Sequence, residues 1–207
     1  MIKISTSILS SKDRINSIQK LNNTNSDYIH IDVMDNIFVP NYQFPLEEIK
    51  ELSKYSNKPL DIHLMVANPK KYINSLDIKN IYNITIHIEI NKNIDSIIEL
   101  IKEKNCSVGL AIKPNTPLNL IDKYLNKVDM ILIMSVEPGF GGQKFIENTT
   151  ERIKYIRNKN KDIIIEVDGG INNETVSKIK DIANIAVVGS YITNKEDYEE
   201  AINILKN

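Results

Sequence analysis

Eight short runs, rich in β-branched and other apolar residues, recur along the chain and alternate with segments of helical periodicity. The runs are candidate strands at residues 2–9, 28–34, 60–66, 82–90, 107–112, 129–136, 162–168 and 185–189. Each run is short and nearly continuous in apolar residues, which is typical of a strand buried on both faces. Such strands belong to parallel sheets, because crossover connections place helices against both faces or around the outside of the sheet.

Five of the intervening segments carry helical spacing most clearly. They are residues 44–55, 93–104, 148–159, 173–182 and 194–207. In the first of these, Leu46, Ile49 and Leu52 fall on one face, as on the buried side of an amphipathic helix. Asn148 and Asn173 stand just before two other segments, and we expect them to be helix N-caps.

Eight strands and about eight helices favour a (β/α)8 TIM barrel, which is an α/β fold. The 207 residues divided by eight leave about 26 per strand–helix unit, enough for a compact barrel in one domain spanning residues 1–207. A doubly wound open sheet is the alternative. Its dinucleotide-binding version is weakened because no G-x-G-x-x-G sequence follows the first strand.

Glycine is scarce, and its distribution indicates a ligand site. The chain has 7 glycines, and six of them lie at or shortly after the ends of three strand candidates: Gly139, Gly141, Gly142, Gly169, Gly170 and Gly189. An ordinary tight turn would explain any one of them, but three strand ends together favour close approach of the backbone to a ligand. In a barrel, the loops after the last strands often bind phosphate through backbone N–H groups. We therefore expect a phosphate cradle here, with Ser190 adding a hydroxyl donor.

All three histidines of the chain fall within strands two to four. Each shares a strand face with an acidic residue two positions away, in the pairs His30–Asp32, Asp61–His63 and His87–Glu89. A single histidine in a strand is usually a core or rim residue. Two histidines at equivalent ends of adjacent strands beside an aspartate indicate a metal site at least as well as they indicate core or rim positions. Asp168, at the end of strand seven, would complete a set of two imidazoles and two carboxylates, which suits Zn²⁺, Mn²⁺, Fe²⁺ or Co²⁺.

Met34, Met65 and Met134 recur on strands two, three and six. Methionine fills irregular gaps in cores, so the pattern alone favours a packing role. The alternative is that the three thioethers form the apolar lining of a sugar site.

Composition argues against several classes of function. A formal net charge of -1 gives no basic surface for nucleic acid or for anionic membrane. No apolar run approaches the ~18 residues of a membrane span, and residues 1–14 are too polar for a signal peptide. Cys106 stands alone and is expected in the core, so the chain cannot form an internal disulfide. A cytoplasmic protein is the expectation.

Four motifs carry a resemblance to a known family. They are "HIDVMDNIFVPN" (30–41), "DIHLMV" (61–66), "MSVEPGFGGQKF" (134–145) and "EVDGGIN" (166–172). These motifs resemble the signature blocks of ribulose-phosphate 3-epimerases, occur in the family order, and are accompanied by weaker blocks over essentially the whole chain. The resemblance implies a TIM barrel that interconverts ribulose 5-phosphate and xylulose 5-phosphate through an enediolate.

The resemblance also implies a role for individual residues. It makes Asp32 and Asp168 the two acid/base catalysts. One divalent metal ion, with Zn²⁺ expected first and Fe²⁺, Mn²⁺ or Co²⁺ as alternatives, would be held by His30, Asp32, His63 and Asp168. Contacts to substrate or phosphate would come from Ser7, His63, Gly139, Phe140, Gly141, Gly142, Gly169, Gly170, Gly189 and Ser190. The methionines Met34, Met65 and Met134 would line the substrate pocket, which reverses the preference for packing alone.

Two positions depart from the family pattern, and three other functions stay open. Asn36 replaces a usual glycine, and Lys12 stands where an acidic residue is usual. The close alternative is an allulose-6-phosphate 3-epimerase. More remote are a catalytically inactive sugar-phosphate-binding barrel and a decarboxylase, although "HIDVMD" lacks the lysine expected of the latter. We expect a small ketose phosphate as the partner and a homo-oligomeric assembly.

Overall fold

Nine strands lie in one sheet in the computed structural model, which describes residues 1–90 and 92–207. They are β1 (Lys3–Ser7), β2 (Tyr28–Asp35), β3 (Tyr42–Gln43), β4 (Leu60–Met65), β5 (Ile81–His87), β6 (Ser107–Ile112), β7 (Met130–Met134), β8 (Ile164–Asp168) and β9 (Ile185–Val188). Eight of the strands coincide with the eight runs predicted from the sequence, to within three residues at each end. The two-residue β3 was not predicted, and it pairs antiparallel with the end of β2.

The eight parallel strands close into a barrel because β1 pairs with both β2 and β9. Ser7 lies opposite His30 on one side, and Lys3 lies opposite Ile185 on the other. The TIM barrel prediction is therefore confirmed, and the open-sheet alternative is wrong. Closure leaves no free edge among the parallel strands and brings their C-terminal ends into one ring.

Seven α-helices and two 3₁₀-helices occur in the described part of the chain. The α-helices are α1 (Arg14–Leu21), α2 (Leu46–Ser53), α3 (Pro69–Ser75), α4 (Ile94–Lys102), α5 (Thr149–Lys159), α6 (Ser190–Thr193) and α7 (Tyr198–Lys206). The 3₁₀-helices span Leu118–Tyr124 and Val176–Lys178. None of these helices has both the length and the apolar character needed to cross a membrane.

The helix predicted over residues 173–182 is wrong, since only the short 3₁₀-helix Val176–Lys178 forms there. The cap predicted at Asn173 is also wrong. It is the Asn172 side chain that accepts the backbone N–H groups of Glu174 and Thr175, which makes a local turn of the kind that competes with a helix. Asn148 precedes α5 as predicted but makes no capping hydrogen bond with its side chain.

Alternation along the strands separates an apolar outer layer from a polar interior. In β2, Ile29, Ile31 and Val33 join the main hydrophobic core beneath the helices. His30 and Asp32, from the alternate positions of the same strand, are buried on the inner side among other polar groups. The helices thus cover the outside of the barrel, and its interior is free to hold the chemically active side chains.

Gly109 on β6 serves this interior packing. A Cβ atom there would lie 2.1 Å from Oγ1 of Thr85 on the neighbouring strand. The absence of a side chain makes room for Thr85, which accepts a 2.7 Å hydrogen bond from Asn83.

Candidate active site

A cavity of about 710 Å³ opens at the C-terminal ends of the strands. The predicted site residues on its wall are Ser7, Asp32, Met34, Met65, Met134, Gly139, Phe140, Gly141, Gly142, Asp168, Gly169, Gly170, Gly189 and Ser190. The two predicted histidine ligands, His30 and His63, are fully buried. Neither of the two departures from the family pattern, Lys12 and Asn36, lies on this wall. Nearly every residue singled out in the sequence is thus gathered at one end of the barrel.

Four side chains predicted as metal ligands come together at the floor of this cavity. One ligand atom from each of His30, Asp32, His63 and Asp168 can be chosen so that all four atoms lie within 4.8 Å of one another. Oδ1 of Asp32 lies 3.4 Å from Nε2 of His30 and 3.7 Å from Nδ1 of His63. The same His63 nitrogen lies 3.6 Å from Oδ2 of Asp168. The register that places Asp32 opposite His63 across β2 and β4 produces this convergence.

The donor set fits a divalent ion. Nε2 of His30 and Nδ1 of His63 are buried and make no hydrogen bond to any described residue, although each faces a carboxylate. Leaving buried polar atoms unpaired is costly, so two such nitrogens at one point call for a further group between them. Two imidazole nitrogens and two carboxylate oxygens are a ligand set suited to Zn²⁺ and related ions.

Charge within the cluster holds Asp32 ionised. Burial would raise the pKa of Asp32, but the adjacent His30 and His63 more than offset this and hold the pKa far below its usual value. Burial would likewise lower the pKa of His30, yet Asp32 and Asp61 raise it well above the usual range. Asp32 is therefore a carboxylate at neutral pH, as both a metal ligand and a proton acceptor require.

A second carboxylate orients His30 from behind. Nδ1 of His30 lies 2.7 Å from Oδ2 of Asp61, and this oxygen also accepts a 2.8 Å hydrogen bond from Ser5. Burial would raise the pKa of Asp61, but His30 lowers it to about 2. A carboxylate only accepts, so Nδ1 of His30 donates to Asp61, and Nε2 is the nitrogen that faces the cluster, where a bound metal ion would displace any proton on it.

Glu166 lies in the same buried region with neither carboxylate oxygen paired in the described chain. Burial first, and then the charge of Asp61, raise the pKa of Glu166 well above its usual value. Ionisation of Glu166 is therefore disfavoured inside the barrel. The sequence analysis gave neither Glu166 nor Asp61 a role, although their spacing of two residues from Asp168 and His63 was a usable signal.

His63 is oriented differently, through a second histidine that the sequence analysis also left without a role. Nε2 of His63 lies 2.9 Å from Nε2 of His87, and Nδ1 of His87 lies 3.0 Å from Oε2 of Glu89. Burial lowers the pKa of His87 to about 4. Burial would raise the pKa of Glu89, but His87 and other hydrogen-bond donors lower it to about 2. A neutral imidazole thus stands between His63 and a carboxylate.

The glycine-rich loops have backbone shapes that suit glycine. Left-handed φ angles occur at Gly139, Gly142, Gly169 and Gly170. At Gly170, with φ of 65°, a Cβ atom would also lie 2.4 Å from the backbone nitrogen of Phe145. A side chain at this position would displace the neighbouring loop, so the loop after β8 needs glycine to pack against the loop after β7.

The loop after β2 contacts the glycine-rich loop that lines the cavity. Asn41 donates a 2.8 Å hydrogen bond from its side chain to the carbonyl oxygen of Gly139. Asn36 begins this loop with φ of 57°, the left-handed conformation that the usual family glycine would also adopt readily. The departure from the family pattern at Asn36 therefore leaves the turn intact.

The three methionines pack in apolar clusters and also reach the cavity; a role in lining a sugar site stays a prediction. Met34 and Met65 are packed with Val39 in one small buried cluster, and Met134 lies with Val136 in another. All three are almost completely buried, and all three also form part of the cavity wall.

Comparison with known proteins agrees with these motifs and this geometry. The model of the "Ribulose-phosphate 3 epimerase family" matches residues 3–193. The chain is 36% identical to ribulose-phosphate 3-epimerase of Bacillus subtilis (strain 168), over 100% of this chain and 99% of that protein. It is 40% identical to the enzyme of the same name from Buchnera aphidicola subsp. Baizongia pistaciae, over 88% of this chain and 85% of that protein.

Solved structures share the fold at much lower identity. KGPDC from Streptococcus mutans superposes with a TM-score of 0.75 at 12% identity, covering 100% of this chain and 96% of that one. 3-Hexulose-6-phosphate synthase from Salmonella typhimurium gives 0.70 at 16% identity, covering 99% and 97%. These two agree with the barrel, whereas the family match and the curated relatives identify the chemistry. The chain belongs to the ribulose-phosphate 3-epimerase family and is an isomerase acting on carbohydrates.

Proposed function

We propose that this enzyme interconverts ribulose 5-phosphate and xylulose 5-phosphate by inverting carbon 3, with Asp32 and Asp168 as the two acid/base groups. The observation that carries the proposal is the approach of both carboxylates to one point. Asp32 on β2 and Asp168 on β8 lie 3.7 Å and 3.6 Å from the same atom, Nδ1 of His63, and both line the cavity. The family identity supplies the reaction class, and this geometry supports the assignment of its catalysts.

Inversion at carbon 3 requires a proton acceptor on one face and a proton donor on the other. The hydrogen at carbon 3 is adjacent to the ketone at carbon 2, so its removal leaves an enediolate. Asp32 removes the proton from one epimer, and Asp168 returns a proton to the opposite face; the reverse reaction exchanges these roles. A divalent ion held by His30, Asp32, His63 and Asp168 would stabilise the negative charge that develops on the substrate oxygens.

The glycine-rich loops after β7, β8 and β9 hold the phosphate in this proposal. Gly169 follows Asp168 directly, so the loop that binds phosphate also determines how far the phosphate lies from the reacting carbon. Binding energy from the phosphate then positions carbon 3 between the two carboxylates. The methionines exclude water from one side of the same space.

Substrate preference is tested by comparing purified enzyme on ribulose 5-phosphate and allulose 6-phosphate in coupled assays. We expect a higher kcat/KM for the pentulose phosphate. A higher value for allulose 6-phosphate would assign the enzyme to the alternative substrate. No turnover of either by folded, metal-loaded protein would favour the sugar-phosphate-binding barrel.

The metal is tested by elemental analysis of protein purified without chelators. We expect about one divalent ion per chain, Zn²⁺ first among the candidates, and loss of activity on stripping that one of Zn²⁺, Fe²⁺, Mn²⁺ or Co²⁺ restores. Affinity should fall as pH falls, because protons compete for the imidazole nitrogens and carboxylates. Full activity after verified stripping would contradict this part of the proposal.

Self-association of the chain stays a prediction, to be measured by sedimentation.

A further inference from the structure

A hydrogen-bonded series leads from the metal cluster outward through two histidines. His63 and His87 are both fully buried, and their Nε2 atoms are 2.9 Å apart. Nδ1 of His87 is 3.0 Å from Oε2 of Glu89, whose other oxygen accepts a 2.7 Å hydrogen bond from the backbone N–H of Lys113. Nε2 of His63, both ring nitrogens of His87 and both carboxylate oxygens of Glu89 thus each have a hydrogen-bond partner.

The chemistry of the three groups determines where the protons are. The Glu89 carboxylate can only accept, so Nδ1 of His87 carries a proton. A nitrogen that binds a metal ion offers a lone pair, so His63, with Nδ1 facing the cluster, carries its proton on Nε2 and donates it to the lone pair on Nε2 of His87. If Nε2 of His87 donated this hydrogen bond instead, the lone pair of His87 would be on Nδ1 and would face the Glu89 carboxylate.

We propose that His87 and Glu89 are positioning residues that hold His63 with its proton on Nε2 and its Nδ1 lone pair directed at the metal cluster. The inference rests on the metal site of the proposed function. Nδ1 of His63 is the atom that faces Asp32 and Asp168 and has no hydrogen-bond partner in the described chain. A fixed tautomer and ring orientation make a metal-ligating imidazole a better donor.

The two histidine ligands thus use opposite nitrogens and different supports. His30 turns Nε2 to the cluster and is held directly by Asp61. His63 turns Nδ1 to the cluster and is held by Glu89 through the intervening His87 ring. Phe38, from the loop after β2, packs on that ring with centroids 4.8 Å apart and covers it.

Two substitutions of His87 separate its hydrogen bond to His63 from the packing of its ring. In His87→Phe an apolar ring remains but the proton on Nε2 of His63 loses its acceptor. In His87→Gln the amide oxygen can accept that proton while the amide nitrogen can donate to Glu89. Thr85→Val is the matched control, because Thr85 lies opposite His63 on the neighbouring strand and loses only a buried hydroxyl with its hydrogen bond from Asn83, which involves no histidine nitrogen.

Two measurements apply to these variants and the unmodified protein. Competition with a chromophoric chelator gives the Kd for Zn²⁺, and we expect a weakening of about 10–100-fold in His87→Phe but only about threefold or less in His87→Gln and Thr85→Val. Long-range ¹H–¹⁵N NMR of histidine-labelled protein reports which ring nitrogens carry protons. We expect His87 to be protonated on Nδ1 alone and His63 on Nε2.

Protonation of His87 on Nε2, or equal weakening in the Phe and Gln variants, or unchanged affinity in His87→Phe, would overturn the inference. If His87→Phe does not fold, the NMR of the unmodified protein and the affinity of His87→Gln still decide it. The NMR is also recorded on metal-stripped protein. Failure of the unmodified protein to bind Zn²⁺ would therefore count against the proposed metal site, whereas the ring protonation tests this inference separately.

Discussion

Ser7 donates a 2.6 Å hydrogen bond to Oδ2 of Asp32, so the two oxygens of this carboxylate have separate partners. Oδ1 faces the imidazole nitrogens of His30 and His63, while Oδ2 is held by the serine at the end of β1. The hydroxyl of Ser7 itself accepts the backbone N–H of Leu9 at 3.2 Å, which fixes its direction. One oxygen of Asp32 thus belongs to the metal cluster, and the other is oriented in the cavity.

Ser7→Ala should lower kcat/KM by about tenfold or more, because a hydrogen bond to a charged group is worth about 1.5–3 kcal/mol. Metal content should be unchanged, since Oδ1 keeps its surroundings. Ser26→Ala is a suitable control, because Ser26 is also buried. Its hydroxyl lies 2.7 Å from that of Thr6, which is on β1 next to Ser7. Equal kcat/KM in both variants, measured at matched metal content, would remove Ser7 from the catalytic arrangement.

Asp168→Asn should separate proton exchange from inversion. The amide can still offer an oxygen to a metal ion but cannot accept the proton, so we expect epimerisation to fall by at least about a hundredfold. Asp32 can still remove a proton from one epimer and return one from solvent on the same face. NMR of each pure epimer in D₂O should therefore show slow deuterium incorporation at carbon 3 for one epimer only.

Asp32→Asn is the matched variant and should leave residual exchange in the opposite epimer. Metal content must be measured in both variants, because a weaker metal site would slow exchange as well. Equal exchange into both epimers by metal-loaded Asp168→Asn would show that the two carboxylates do not each serve one face.

Gly141→Val should impair substrate use without unfolding the barrel. A Cβ atom at Gly141 would meet the hydroxyl oxygen of Ser10 at 2.8 Å and Leu9 Cδ2 at 3.9 Å, and side-chain ends such as these can shift. The added side chain would occupy space where the loop backbone approaches phosphate. Loss of one or two charge-assisted hydrogen bonds predicts a decrease in kcat/KM of about ten- to several-hundred-fold.

Thermal unfolding of Gly141→Val should resemble that of the unmodified protein. A decrease in kcat/KM would then reflect weaker phosphate binding and not loss of folded protein. Gly141→Ala is the graded control and should lie between the two in kcat/KM. Near-normal kcat/KM in the valine variant would contradict the phosphate cradle.

Cys106 should react slowly with thiol reagents while the protein is folded. Burial raises the pKa of the Cys106 thiol to about 11, so its thiolate fraction at pH 8 falls by about a hundredfold from that of an ordinary thiol. The more basic thiolate is also more nucleophilic, which leaves an expected slowing of about tenfold. Raising the pH toward 11 should speed the reaction. Alkylation by iodoacetamide, compared with urea-unfolded protein, measures this, and equal rates would show that the thiol is not protected.

Residues of β2 illustrate how far the sequence determines the site. Alternation of His30, Asp32 and Met34 with Ile29, Ile31 and Val33 is a local property, because successive side chains of a strand point to opposite faces. The polar set therefore had to lie on one face of the sheet. Glycines in the loops after β7 and β8 could be interpreted equally well, since few other residues adopt the left-handed conformation found there, and the family motifs could be identified by inspection.

Barrel closure and the pairing of individual atoms depend on contacts between residues distant in the chain. The pairing of Lys3 with Ile185, the use of Nδ1 by His63, and the raised pKa of Glu166 beside Asp61 all depend on strand register and shared burial. Apolar spacing also misled at residues 173–182, because the Asn172 side chain binds the backbone that a helix would have used. Local periodicity specifies which face of an element is buried, whereas the partner of each buried polar atom is settled only when the strands are assembled around a common interior.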